Sequence, residues 1–216
     1  MIPVLYADKY FVICNKPVGV LSESPGLPDM LQEQMGCRLF PVHRLDQGTG
    51  GVCTLAFSVY ACTGLQNLFM EGKVKKEYLA VISGKPEEQN GSFRDFLYHD
   101  KRSNKSYVVK QKRKGVKEAL CDWTVLETVF FENQPLSLVR VSLHTGRTHQ
   151  IRVQFASRGF PLAGDRKYGS RIKADAPALW AYSLSFPHPW SAGLHPSACS
   201  VPNESFPWTL FDLSSL

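Results

Sequence analysis

Pro41-Val42-His43-Arg44-Leu45-Asp46-Gln47-Gly48-Thr49-Gly50-Gly51 runs directly into Val52-Cys53-Thr54-Leu55-Ala56-Phe57. The first part sets a guanidinium and a carboxylate two residues apart, between an apolar approach and a run rich in Gly and Thr. A loop of this kind holds one ionised group in a tight bend, because a backbone free to adopt positive φ lies close to whatever it binds. The second part is a compact apolar run suited to a buried strand. Read alone, Arg44 and Asp46 are as much a surface ion pair, contributing at most about 1 kcal/mol, as a site. The loop lacks the Gly-x-Gly-x-x-Gly or Gly-Lys-Ser/Thr spacing of a nucleotide-binding loop.

Outward from this stretch the pattern alternates between strand and helix. Before it, Ile2–Tyr6 and Tyr10–Cys14 read as two extended segments around Asp8-Lys9. Met30–Met35 reads as a short helix with Pro28 at its start and Gly36 just past its end. After it, Ser58 caps a helix in which Ala61, Leu65, Leu68 and Phe69 recur at helical spacing before Gly72. Lys75–Ser83 alternates as a strand, Tyr78, Ala80 and Ile82 on one face and Leu79, Val81 and Ser83 on the other. Ser92–Tyr98, Ser106–Gln111, Ala119–Phe131 and Leu136–Leu143 read as further extended segments. A helix is expected from Thr148, as its cap, to Gly159, with Ile151 and Phe155 packing inward. Ala178–Phe186 is a last apolar strand, and the proline-rich tail reads as irregular but partly docked through Trp190, Phe206 and Trp208. No internal repeat, low-complexity tract or linker interrupts the chain. The expected fold class is α/β of the α+β type: one domain spanning residues 1–216, built on a mixed, largely antiparallel sheet with flanking helices.

The 216 residues carry a formal charge of +6, and the basic residues are segregated. Lys101–Glu118 holds eight basic residues and one acid, Gly146–Lys173 holds seven and one, and no Lys or Arg follows Lys173. Mixed solvated surfaces intersperse the two signs, so this pattern favours a face that tracks phosphates over two ordinary basic loops. The six cysteines form no Cys-x-x-Cys pair and sit mostly among apolar neighbours, as buried thiols do in a reducing compartment. The N-terminus lacks the pattern of a signal peptide, and no apolar run approaches a membrane span of roughly 18 to 20 residues. A cytoplasmic protein, monomeric and without membrane contact, is expected. His43, His144 and His149 match no standard metal spacing, and structural or RNA-contacting histidines are the better reading.

Taken together, five blocks resemble the signature segments of the RluA-type pseudouridine synthases in order and spacing. They are Asn15-Lys16-Pro17-Val18-Gly19, His43 to Gly51, Lys76-Glu77-Tyr78-Leu79-Ala80, Gly146-Arg147-Thr148-His149-Gln150-Ile151-Arg152 and Gly164-Asp165-Arg166-Lys167-Tyr168-Gly169. The chain departs from the family in two places: the family usually has Ser where this chain has Gly50, and often His in the last strand where it has Trp180. The small N-terminal S4-like RNA-binding domain of many relatives is not expected, since the catalytic blocks begin at once.

The resemblance implies a pseudouridine synthase fold and isomerisation of uridine in ribosomal or transfer RNA, with no metal, no nucleotide and no other cofactor. It makes Asp46 the nucleophile, attacking either ribose or base, Arg152 its charge partner, and Tyr78 the ring that stacks on the uracil and helps remove the C5 proton. The target nucleotide would be flipped out of its stack, with Arg44 filling the space it leaves. Arg147, His149, Arg166, Lys167, Lys110, Lys112, Arg113 and Lys114 would contact RNA. A non-catalytic RNA-binding or ribosome-assembly module would bind without changing the RNA. A metal-dependent nuclease using His43, Asp46 and His149 would cleave it, but explains Tyr78 poorly.

Overall fold

A computed structural model of the chain describes residues 1–202, 205–214 and 216. Contacts divide the chain into two compact units, Met1–Lys76 with Trp180–Pro202, and Glu77–Leu179 with Asn203–Leu216. Strands of both units belong to an α+β architecture whose sheet pairings are mostly antiparallel, as the alternating runs foretold.

In the first unit β1 (Val4–Ala7), β2 (Phe11–Lys16), β4 (Gly50–Ala56) and β10 (Leu179–Ser185) lie side by side in that order, with β3 (Phe40–Pro41) also on β4. β2 and β4 are antiparallel, Cys14 opposite Cys53, and β10 is parallel to β4, Trp180 opposite Gly50. Every residue of β4 is buried, which explains its largely apolar composition. Helix α1 (Leu27–Met35) has Pro28 in its first turn and ends at Gly36, whose left-handed φ of 69° is cheap only for glycine. Helix α2 (Val59–Met70) starts where Ser58 accepts the amide of Ala61 at 3.1 Å. Its Ala61, Leu65 and Leu68 pack with Phe11, Ile13, Val52 and Phe186 as the core of this unit.

The second unit is built on an antiparallel run of strands. β5 (Lys75–Ser83), β9 (Gln134–Leu143), β8 (Val116–Phe131), β6 (Asn90–Asp100) and β7 (Lys105–Val109) are neighbours in that order, all antiparallel. Ala80 and Ile82 of β5, Val139 and Val141 of β9 and Trp123 of β8 pack against Ile151 and Phe155 of α3 (Gln150–Ala156). Lys101 and Arg102 fall in the connection before β7 and Lys110, Lys112, Arg113 and Lys114 in the connection after it, with Lys105 opening β7 itself.

Two expectations are corrected. Thr148 does not cap α3, which starts later: its cap position is His149, in a left-handed conformation at φ 55° with no side-chain cap. The carbonyl of Thr148 is engaged by the Ser106 hydroxyl at 2.6 Å, and the Gln150 amide oxygen accepts from Arg147 N and Thr145 Oγ1. Gln150 therefore ties the loop 145–147 to the start of α3 without capping the helix amides. The tail is also more regular than expected. Its Ser197–Cys199 forms β11 against β10, and residues 208–210 form a short 3-10 turn with Trp208 buried. The expected docking holds: Trp190 stacks on Tyr10 at 4.4 Å, and Phe206 meets Phe131 at 4.9 Å. Among the described residues no helix is long and apolar enough to cross a membrane.

Candidate functional site

Asp46 sits in the turn that feeds β4, closed by the amide of Thr49 donating to the Asp46 carbonyl at 2.9 Å. The segment 16–22 clamps this turn from below. Gly19 N donates to Gln47 O at 2.8 Å and Gln47 Nε2 returns a bond to Gly19 O at 3.0 Å. Leu45 N donates to Ser22 Oγ and that hydroxyl donates to Leu45 O, both at 2.9 Å. The two residues flanking Asp46 are thus fixed by reciprocal hydrogen bonds, which holds the backbone that carries the carboxylate in place before any ligand arrives.

Lys16 is the deepest part of this clamp. Its side chain is fully buried, with Nζ donating to Val20 O at 2.6 Å, Pro17 O at 2.9 Å and Gln47 O at 3.4 Å. Burial pushes its pKa down to about 8, with Cys53, Asp46 and Cys14 pulling the other way. The sequence reading used Lys16 only as a pattern breaker and family marker. The signal that marks its role is a lysine ending a buried, mostly apolar strand, a position where an ammonium must find several acceptors. Cys14 and Cys53 beside it are pushed up, in Cys53 to about 12, by burial, so both behave as inert core thiols.

His43, three residues ahead of Asp46, is structural. Its Nε2 accepts the amide of Thr54 at 3.1 Å and its ring stacks on Phe69 at 4.8 Å. Burial first, then the nearby Lys76 charge, bring its pKa down to about 4. Arg44 points outward, its side chain 73% exposed and 3.8 Å from Glu23, a distance and exposure that bind it weakly.

Gly50 and Trp180, the two departures from the family pattern, account for each other. They are opposite one another across β4 and β10, and the buried indole lies where a side chain on Gly50 would stand: a Cβ there would meet Cε3 at 2.8 Å and Cζ3 closer still. At the next residue, Gly51, φ is 110° and a Cβ would run into the Ala181 backbone, so only glycine fits there.

In the second unit the basic blocks converge on Tyr168. Arg152, 10% exposed, donates Nε and Nη2 to the two oxygens of Asp165 at 2.7 and 2.9 Å. This bidentate pair compensates a buried guanidinium, and it makes Asp165 a site residue that the sequence reading left without a role. The Arg152 guanidinium and the Lys105 ammonium lie over the Tyr168 ring, 5.2 and 5.4 Å from its centroid. The Tyr168 hydroxyl accepts from Ser106 N at 2.8 Å and lies 3.0 Å from His149 Nδ1. Burial is the main cause of its raised pKa.

A cleft of about 450 Å³ opens beside this cluster, lined by Arg152, Asp165, Arg166, Lys167 and Asp175 among others. Arg166 is exposed, and Lys167 reaches Asn104 O at 3.0 Å. Arg147 is committed in part to the fold, Nε donating to Glu118 O at 2.9 Å. Lys110, Lys112, Arg113 and Lys114 are exposed in the connection after β7, with Arg113 over the Tyr98 ring. Tyr78, half-buried on β5, packs against the core that holds α3.

The family model described as RNA pseudouridylate synthase matches residues 10–157, a span that includes β2, the Asp46 turn, β5 and α3. The chain therefore belongs to the RNA pseudouridylate synthase family. It is 33% identical to an uncharacterized RNA pseudouridine synthase of Aquifex aeolicus over 87% of its length, covering 66% of that protein. With an uncharacterized RNA pseudouridine synthase of Bacillus subtilis it shares 35% identity over 86% of its length and 64% of that protein. The chain thus spans just under two thirds of these relatives. It is 30% identical to the tRNA pseudouridine synthase C of Haemophilus influenzae over 88% of both chains. The solved structure of human RNA pseudouridylate synthase domain containing 1 superposes with a TM-score of 0.82 at 25% identity, over 94% of this chain and 84% of that one.

Proposed function

We propose that this chain converts uridine to pseudouridine in a structured RNA, with Asp46 as the nucleophile. The N1–C1′ bond of the target breaks, the uracil turns, and C5 bonds to C1′; C5 gives up its proton and N1 takes one up, so that no redox partner is needed. Attack by the Asp46 carboxylate divides this exchange into two easier steps. Tyr78 and Arg152 take the parts the motif match gives them, base platform and counter-charge for the carboxylate. The observation that carries the proposal is the double clamp on Leu45 and Gln47: a carboxylate that only decorates a surface loop needs no such fixing, whereas a nucleophile gains from being held in its attacking position.

The uridine leaves its stack to reach Asp46, at a cost of a few kcal/mol that phosphate contacts offset. The exposed Arg44 enters the vacated space, while Arg147, His149, Arg166, Lys167 and the 110–114 cluster hold the RNA. Transfer RNA is the preferred substrate class, on the likeness to the Haemophilus influenzae tRNA pseudouridine synthase C across 88% of both chains; ribosomal RNA is the second.

The test is to incubate the protein with transfer and ribosomal RNA and map pseudouridine chemically. Asp46→Asn is expected to bind RNA within about threefold of wild type and to yield at least ~1,000-fold less product, the scale on which loss of a nucleophile acts. Turnover by the variant would remove Asp46 from this role.

A further inference from the structure

The catalytic turn of the first unit is held from two sides. The 16–22 segment supports it through hydrogen bonds. Its other support is steric. Thr49, whose amide closes the turn on Asp46, is followed at once by Gly50, and on Gly50 lies the Trp180 ring. That ring is 3% exposed, and its Nε1 donates to Ser200 O at 2.7 Å, so the indole is anchored at its far end and does not swing away. Gly50 is not among the glycines with positive φ. Its φ is therefore outside the range that favours glycine, and the three nearest atoms a Cβ would meet all belong to the indole.

We propose that Trp180 is a positioning residue for Asp46, and that Gly50 and Trp180 form one unit that sets the height of the catalytic turn over β10. The benzo ring of the indole against a bare Cα fixes where β4 begins, and the turn from Asp46 to Thr49 ends where β4 begins. Trp180 touches neither base nor ribose in this account; it acts through the backbone of residues 46–50. A Cβ placed on Gly50 stands well inside the 3.5–4.0 Å optimum for carbon contacts, so β4 must move, and the turn moves with it. Removing the ring instead leaves the start of β4 without its stop. This inference rests on Asp46 being the nucleophile for its effect on turnover, but not for its effect on the turn.

The test uses Gly50→Ser, Trp180→His and the double variant. The first readout is the backbone amide resonance of Gly19, which donates to Gln47 O and lies far in sequence from both substitutions. Each single variant is expected to shift it, and the double variant to return it toward wild type. The second readout is turnover. Each single variant should lose about 10- to 100-fold in kcat with KM within about twofold, the scale on which misplacement of a reacting group by an ångström acts, and the double variant should recover to within about fivefold of wild type. Where a single variant folds poorly, the double variant carries the test alone. Independent losses that multiply in the double variant, or single variants that leave the Gly19 resonance and kcat unchanged, would overturn the proposal. A wild-type protein that makes no pseudouridine, with the Gly19 resonance behaving as expected, would leave the positioning of the turn intact and sink the assignment of the reaction.

Discussion

His43 shows how a residue inside a signature block serves the fold. The neutral ring accepts a backbone amide through Nε2, and protonation destroys that bond. The sign of its pH effect follows from the shift. A histidine whose pKa falls from the ordinary 6.5 to about 4 on folding binds its proton more readily when unfolded, so stability is fully present above pH 6.5 and drains away as pH falls toward 4. A shift of this size corresponds to about 3 kcal/mol at full burial; the ring keeps some solvent contact, and about 1–2 kcal/mol is the expected loss. Urea unfolding followed between pH 7 and pH 4.5 measures it. The acid slope should be shallower in His43→Gln, whose amide oxygen still accepts from Thr54; an unchanged slope would assign the acid sensitivity to other groups.

At the scale of elements, a buried ion pair helps to join α3 to the loop after it in the second unit. Asp165 is 1% exposed in its side chain and takes both prongs of Arg152, while its backbone carbonyl accepts from Tyr168 N and Ser170 N. Asp165→Ala leaves a buried guanidinium short of its carboxylate, and breaking a buried pair from one side costs about 3–5 kcal/mol. Chemical denaturation should show a loss of that order, together with freer motion of the Tyr168 ring, read as a faster ring flip. A loss below about 1 kcal/mol would mean that Arg152 is stabilised mainly by other partners. The strands and helices themselves were legible from pattern: Lys75–Ser83 was read with the bounds it has, and Ser58 as the cap of α2. The start of α3 was not legible, because its cap position, His149, carries no side-chain cap, and the Thr148 carbonyl is held by Ser106 from more than forty residues upstream.

For the molecule as a whole, charge is the property that governs its expected partner. The surplus of +6 is concentrated, and four exposed cations lie together in the connection 110–114. If that connection contacts RNA phosphates, each contact releases counterions and adds about 0.7–0.9 to the slope of log K against log salt. Replacing Lys110, Lys112, Arg113 and Lys114 together by Ser should lower that slope by about 2–3 and weaken binding to all RNAs alike, with unfolding stability unchanged. Fluorescence titrations at 50–300 mM salt, a range in which screening is steep, measure it. An unchanged slope would place the RNA elsewhere.

The sequence by itself determined most of the elements, the order of the signature blocks, the family, and the turn that carries Asp46. These rest on local properties, such as alternation, apolar runs, glycine at turns, and motif spacing, which a linear chain displays. Only the tertiary structure decided what supports that turn and what fills the second unit's core cluster. Lys16 draws in carbonyls from three separate residues. Asp165 compensates Arg152, and Tyr168 gathers Arg152, Lys105, Ser106 and His149 around one ring. Gly50 is bare because an indole 130 positions away in sequence lies on it. Each of these depends on satisfying a buried charge or excluding overlap between atoms brought together by folding, and no pattern within one segment records which distant residue will arrive.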